Sequence, residues 1–415
     1  MPPHKLRAVP ARLAGFCFLL LVLPSLCVGG NSDASLKSLY DAHRWFELRD
    51  SVARNSASWF YQGVVACAFN DLHRCEKKLG ALIKSRPQSD EAVEAHQLLE
   101  SAYLRQGKYR EALVEVDAVL ALRPGDSDVG DDRPMLAALS EYPDQQVVRR
   151  RPTTLKLHDA GLRISINGVQ ATYWFDTGAN VSARSERESK RFGLKVLAAP
   201  LTVGGVTGAR ADSRVAVADQ FSIGSVRLKH VAFLVLADDQ PPFNQSPPGE
   251  GGLIGIPVLL ALQRFVWGAD FKFEIGTKSG DKNVAHADLC FDGNHPVARI
   301  QFQDRNLAFT LDTGATNTDL YPPFAAAFPE LIRAAVKTDS YNMEGVGGIK
   351  SLDAAVLSSA AFRIGGFPVV LKPAGVLLKP TLENSKFFHG NLGIDLLQQA
   401  HKATFDFKAM MLTLQ

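Results

Sequence analysis

Two short segments carry the same acid-bearing turn: Asp176-Thr177-Gly178-Ala179 and Asp312-Thr313-Gly314-Ala315. One Asp-Thr-Gly tripeptide arises by chance in roughly one chain in ten, and an isolated copy reads as an ordinary turn. Here the surroundings are duplicated as well. From Ile164 to Asp176 and from Ile300 to Asp312 the spacing is twelve residues each time. Ile164-Ser165-Ile166 leads to a turn at Asn167-Gly168 and a strand with Tyr173 and Phe175 on alternate positions. Ile300-Gln301-Phe302 leads to a turn near Asp304-Arg305-Asn306 and a strand with Phe309 and Leu311. Downstream, Gly205-Val206-Thr207-Gly208 matches Gly345-Val346-Gly347-Gly348, and Phe221-Ser222-Ile223-Gly224 matches Phe362-Arg363-Ile364-Gly365. Leu253-Ile254-Gly255 matches Asn391-Leu392-Gly393. Asp270-Phe271-Lys272 and Asp406-Phe407-Lys408 each begin 94 residues after their own loop aspartate, and are expected to be structural turn or strand-edge residues.

An aspartate at the end of an alternating strand, followed by Thr-Gly, sits on a tight loop. Gly178 and Gly314 are expected to take backbone angles closed to other residues and to let the opposing loop approach closely. A pseudo-twofold axis joining the two loops would bring two carboxylates within a few ångströms. Like charges so close share one proton and titrate as a unit. The ionised member can draw a proton from a bound water while the protonated one hydrogen-bonds a substrate carbonyl oxygen. That chemistry hydrolyses an amide with no metal, cofactor or covalent nucleophile.

With these motifs in place, residues 152–415 resemble the aspartic proteases, in the retropepsin-like style of bacterial two-lobed proteins. The resemblance implies Asp176 and Asp312 as catalytic pair, with Thr177 and Thr313 bracing the loops by reciprocal hydrogen bonds. It implies that Gly178 and Gly314 offer backbone N–H groups that orient the carboxylates. It also places flaps over the substrate at the glycine-rich segments, with Gly205, Val206 and Gly208 in one and Gly345, Val346 and Gly348 in the other. Ala179 and Ala315 fit the retropepsin-like pattern better than the Ser or Thr of pepsins. Neither glycine core holds a tyrosine, although Tyr341 lies just ahead of the second. Asn391 departs from the pattern by replacing an apolar residue, so the second loop is expected to be backed less tightly.

The elements that must position this pair occupy only part of the chain. The 415 residues are 46% hydrophobic and 21% charged, enough apolar material for two or three packed units and unlike a disordered chain. Lys and Arg number 46 against 43 Asp and Glu, too balanced for a nucleic-acid partner. Residues 1–30 read as an export signal: Lys5, Arg7 and Arg12, then an apolar run from Leu13 to Val28, then Gly29-Gly30 before a cleavage point near Asn31. The three bases account for the whole charge excess. The expectation is an exported, periplasmic or secreted chain; the alternative is a membrane anchor formed by the uncleaved segment. No other segment is long and apolar enough to span a membrane.

Residues 31–125 read as a tetratricopeptide-like helical module, with Tyr103, Gly107, Tyr109, Ala112 and Pro124 in the better copy and Trp59, Gly63 and Pro87 in the poorer. A further helix is expected around Leu36–Leu48. Residues 126–151 read as a linker, 152–278 as the first β lobe, 279–290 as an inter-lobe linker and 291–415 as the second lobe. The fold expected is therefore multidomain, α followed by all-β: a helical repeat module, then two pseudo-twofold-related acid-protease β-barrel lobes. Five cysteines without a C-x-x-C pair make no disulfide scaffold. Cys67 and Cys75 are expected as small buried core residues, with a disulfide open to them in an exported chain, and Cys290 as a packed or free thiol. The histidines at 230, 286, 295, 389 and 401 lack ligand spacing, so no metal site is expected. Ser182 completes a glycosylation sequon with Asn180, discounted because modification beside the aspartate would obstruct substrate.

Three readings follow from these residues. The first is an aspartic-type endopeptidase acting on polypeptides, the second a non-catalytic peptide-binding module on the same fold. The third is a scaffold whose helical repeats recruit a protein partner; the competing reading of those helices is a packing platform or spacer for the following domain.

Overall fold

The computed structural model describes residues 33–54, 57–157, 161–204, 210–278, 283–345 and 348–415. The export segment expected at 1–30 lies outside them. Helices occupy the N-terminal part from Asp33 to Ser140. Apolar residues at three- and four-residue spacing give each helix a face to bury, and polar residues cap the ends. Asp71 accepts the Arg74 N–H at 3.3 Å and Ser89 the Ala92 N–H at 3.1 Å.

Trp59–Ala68 and Leu72–Ser85 form one helical hairpin, and Asp90–Arg105 with Tyr109–Leu122 forms the next. Gly63 lets the first pair close, since a Cβ there would lie 2.3 Å from Leu79 Cδ2. Gly107 turns the second pair at a φ of +69°, where a side chain is strained. The helix expected over Leu36–Leu48 is instead two, Asp33–Asp41 and Trp45–Arg54. His43 breaks it at a φ of +52°, and its ring stacks on Phe387 at 3.9 Å. Tertiary contact therefore overrides the local helical pattern.

Cys67 and Cys75 form a disulfide across the first hairpin, their Cα atoms 5.0 Å apart, so they are bonded rather than merely packed. Cys290 is buried and free. Segment 126–151, expected as a linker, is folded: it contains the helix Arg133–Ser140 and the strand Gln146–Arg149. Its Gly- and Asp-rich flanks masked an apolar stripe of Met135, Leu136 and Leu139, which packs with Leu197, Leu201, Val215 and Val217 of the first β region.

Two curled β-sheets follow, and their strands are arranged in the same order. In the first, the hairpin 162–166/169–175 is followed outward by 252–254, 182–185 and 231–236, and then by the long hairpin 210–218/196–204. In the second, the hairpin 295–302/305–311 is followed by 390–392, 319–320 and 374–377, and then by the long hairpin 348–357/336–345. The turn of the second central hairpin is Gln303-Asp304, since Phe302 pairs with Arg305; this is one residue earlier than expected.

A third sheet joins the halves. Strands 153–156, 272–275 and 264–268 from the first half continue into 402–406 and 411–414 from the second. Phe265 stacks on Phe273 at 5.2 Å and on Phe405 at 4.8 Å, so the joint is aromatic as well as hydrogen-bonded. Asp270 lies exposed beside Lys272, while Asp406 is buried and accepts the Ala409 N–H at 2.8 Å; both shape turns of this sheet.

The helices dock on the β structure through buried polar ties. The Arg49 guanidinium donates to the carbonyls of Val284 (3.0 Å) and Ala287 (2.8 Å), and Asn70 Nδ2 donates to the Phe407 carbonyl at 3.0 Å. Arg105 donates to the Cys67 carbonyl at 2.9 Å and to that of Gly293, with its guanidinium 4.5 Å above the Phe291 ring. The disulfide thus sits in the hairpin that faces the second sheet. Reductant is expected to lower the thermal midpoint of the protein by several degrees, corresponding to about 2 kcal/mol. The Cys67→Ser/Cys75→Ser variant should start at the lower midpoint and be insensitive to reductant.

Candidate active site

Each loop aspartate leaves a strand that is fixed before the loop begins. Phe175 packs among Phe265, Trp267 and Phe273 at centroid distances of 5.6, 5.2 and 5.3 Å. Phe175 pairs in parallel with Ile254, and Leu311 with Leu392. The loop is then pinned to that neighbouring strand: Asp176 N–H donates to the Ile254 carbonyl at 2.9 Å and Asp312 N–H to that of Leu392 at 3.0 Å. The Ala179 and Ala315 carbonyls accept the N–H groups of Ile256 (2.9 Å) and Ile394 (3.0 Å).

Two hydroxyls that the sequence reading left out of the site complete this scaffold. Ser182 Oγ accepts the Gly255 N–H and Thr318 Oγ1 accepts the Gly393 N–H, each at 3.0 Å. Each lies six residues after its own aspartate, so the duplicated spacing held a signal that the sequon at Ser182 obscured.

The loops meet through their threonines. Thr177 N–H donates to Thr313 Oγ1 and Thr313 N–H to Thr177 Oγ1, both at 3.0 Å. Each hydroxyl in turn donates across the joint, Thr177 to the Leu311 carbonyl at 2.8 Å and Thr313 to the Phe175 carbonyl at 2.9 Å. Both threonines are buried. All four bonds link the two halves, and each satisfies a backbone group that would otherwise be buried unpaired.

This brace brings the carboxyl groups of Asp176 and Asp312 face to face, each against the glycine of the opposing loop. Gly178 N–H donates to Asp176 Oδ1 at 2.8 Å; Gly314 N–H and Ala315 N–H donate to Asp312 Oδ1 at 2.9 and 3.1 Å. The glycines are needed for space rather than for unusual backbone angles, since neither has a positive φ. A Cβ on Gly178 would lie 2.7 Å from Asp312 Cγ, and one on Gly314 would lie 2.6 Å from Asp176 Cγ. Burial, and then the facing Asp312, push the Asp176 carboxyl well above the ordinary 3.8, against the N–H bonds that favour its anion.

Residues 162–258 match the aspartyl protease family. That match holds Asp176 and the Leu253–Gly255 strand; the second Asp-Thr-Gly loop lies beyond it. Among solved structures, the retropepsin-like aspartic protease from Rickettsia conorii is similar at 13% identity with a TM-score of 0.22, covering 32% of this chain and 94% of that one. No curated protein matches the chain.

Beyond the two loops, the long hairpins are anchored differently. The first is held by the helix Arg133–Ser140 through the apolar cluster described above, and Arg210 at its end pairs with Asp131 at 2.6 Å. The second is tied by Tyr341, whose hydroxyl donates to Asp319 Oδ1 at 2.5 Å and whose ring fills the space over Gly375. Gly345 pairs with Gly348 at the end of that hairpin; Gly205, Val206, Gly208 and Val346 lie outside the described residues. Among the described residues, no His, Cys, Asp and Glu side chains gather to hold a metal ion, and no helix is long and apolar enough to cross a membrane.

Asn391 does not leave the second loop loosely backed. Its amide is buried and paired on both sides, accepting from the Thr310 hydroxyl at 2.7 Å and donating to Asp312 Oδ2 at 3.3 Å.

Two outcomes follow for the folded protein. Thr177→Val or Thr313→Val strips partners from two buried backbone groups and should cost roughly 1–3 kcal/mol for each group left unpaired, measured by denaturant unfolding. Between pH 3.8 and the raised Asp176 value, the folded state keeps a proton that the unfolded chain has lost. Stability therefore falls as pH rises through that window, and Asp176→Asn should remove this part of the slope.

Proposed function

We propose that the protein is an aspartic-type endopeptidase with Asp176 and Asp312 as its catalytic pair. The observation that carries this reading is the contact of two carboxyl groups held by reciprocal threonine bonds between loops from different sheets. With the shared proton on Asp176, Asp312 is the ionised member. A water between them attacks the peptide carbonyl carbon: Asp312 takes a proton from the water, and Asp176 gives its proton to the carbonyl oxygen. In the tetrahedral diol that results, Asp312 passes its proton to the amide nitrogen. The C–N bond breaks and a diol hydroxyl returns a proton to Asp176. Each proton is accounted for and the pair ends as it began.

The substrate is a polypeptide, lying in extended form between the two long hairpins, whose glycine-rich ends serve as flaps. The disulfide in the helical part supports the reading of an exported protein, since such bonds persist in oxidising compartments. The ties from Arg49, Asn70 and Arg105 to the β structure favour a helical part that acts as a packing platform over one that only recruits a protein partner.

Asp176→Asn and Asp312→Asn should each lower kcat/KM for peptide cleavage by about 10²–10⁴-fold while leaving peptide binding in place. A mixed peptide library incubated with each form from pH 3 to pH 7 tests this. No cleavage by the unmodified protein anywhere in that range would favour a binding module instead.

A further inference from the structure

The two halves share their strand order from the central hairpin to the long hairpin, yet they differ at a pair of positions beside the carboxyl groups. In the first half, the residue two before the aspartate is Trp174, paired with Leu253 on the neighbouring strand. In the second half, the same two positions are Thr310 and Asn391. An apolar pair on one side thus faces a polar pair on the other. Thr310 and Asn391 are only 5% and 8% exposed, so their polar atoms have little water to turn to.

Their hydrogen bonds run in one direction, toward Asp312. Thr310 Oγ1 donates to Asn391 Oδ1 at 2.7 Å, nearer than the Gly390 carbonyl at 3.3 Å, and Asn391 Nδ2 donates to Asp312 Oδ2 at 3.3 Å. Occupying Oδ1 with the threonine proton leaves the NH₂ end of the amide for the carboxylate. Asp312 Oδ1 already accepts from Gly314 and Ala315, so Asn391 adds a donor to its second oxygen. At the matching place beside Asp176, Leu253 has no donor to give. Alanines at 179 and 315 likewise bring no hydroxyl to either carboxyl.

We propose that Asn391, oriented by Thr310, is a positioning residue that makes the carboxyl pair unequal, stabilising the Asp312 carboxylate and so leaving the shared proton on Asp176. This rests on the reading of Asp176 and Asp312 as a proteolytic pair. A donor to one carboxylate favours its ionised form. Burial also favours the proton on Asp176, and the Asn391 donor adds to that preference from the Asp312 side. The assignment of Asp312 as the water-activating base then follows from a residue outside the duplicated loop. Asp176, His295 and the buried Tyr321 lie in electrostatic reach of Asp312. All three are unchanged by substitution at Asn391.

The test is the titration of the pair itself, followed by carbon-13 NMR of aspartate-labelled full-length protein, with the two resonances identified by Asp176→Asn and Asp312→Asn. Asn391→Leu copies the first half at this position. It should raise the lower of the two apparent pKa values by about one pH unit and move the acid limb of kcat/KM upward by the same amount, with KM little changed. Thr310→Val keeps Asn391 but frees its amide, and should shift the titration in the same direction by less. If Asn391→Leu does not fold, Thr310→Val decides alone. An unchanged titration, or a shift to lower pH, overturns the proposal; the latter would mean that the amide turns its oxygen to Asp312. Because the titration needs no turnover, a shifted titration without cleavage would sink the protease reading alone. Cleavage with an unshifted titration would sink only the role of Asn391.

Discussion

Two carboxyl groups do not stay in contact unless the chain segments bearing them are held together by something stronger than their mutual repulsion. Here that role falls to Thr177 and Thr313, whose N–H and hydroxyl groups exchange four hydrogen bonds across the joint. The bonds are strong in effect because they are buried: releasing them exposes no water to the freed backbone groups. Much else in the fold serves this crossing. The apolar-Gly strands pin each loop from behind, the Phe175 ring is clamped among aromatic neighbours, and the shared sheet at 264–275 and 402–414 fixes the halves at a second place. Gly178 and Gly314 remove the atoms that would keep the carboxyls apart.

The duplication made this core legible in sequence because the loops, their preceding hairpins and the apolar-Gly strands recur at closely matching spacing. What the sequence concealed had physical reasons. Ser182 and Thr318 recur at the same offset, but a hydroxyl in a loop has many ordinary uses, and its tie to a distant glycine N–H is visible only once the chain is folded. The helix at Arg133–Ser140 was hidden by its turn-forming flanks and is stabilised by a partner surface, Leu197 to Val217, distant along the chain. The break at His43 likewise follows from a contact with Phe387, which no local pattern encodes. Asn391 was visible as a departure, yet its sign was unreadable: an amide in an apolar motif weakens packing unless both its ends are paired, and here both are.

The helical part and the β part are less separate than their compositions suggest. One helix after the two hairpins holds the first long β-hairpin through Met135, Leu136 and Leu139, while the second hairpin is held by Tyr341 from within its own sheet. The halves therefore share a plan but differ in how their outer hairpins are restrained, just as they differ behind the two carboxyls. Duplicated architecture supplies the contact between the aspartates, and departures from it make the surroundings of the two carboxyls unequal.

The account's central claim is that Asp176 and Asp312 act as one acid–base unit. The most direct test compares kcat/KM for peptide cleavage in Asp176→Asn, Asp312→Asn and the double variant. A single unit predicts that the double variant loses little more than either single one, because the first substitution already destroys the shared function. A double loss equal to the product of the two single losses would show independent groups and contradict the account.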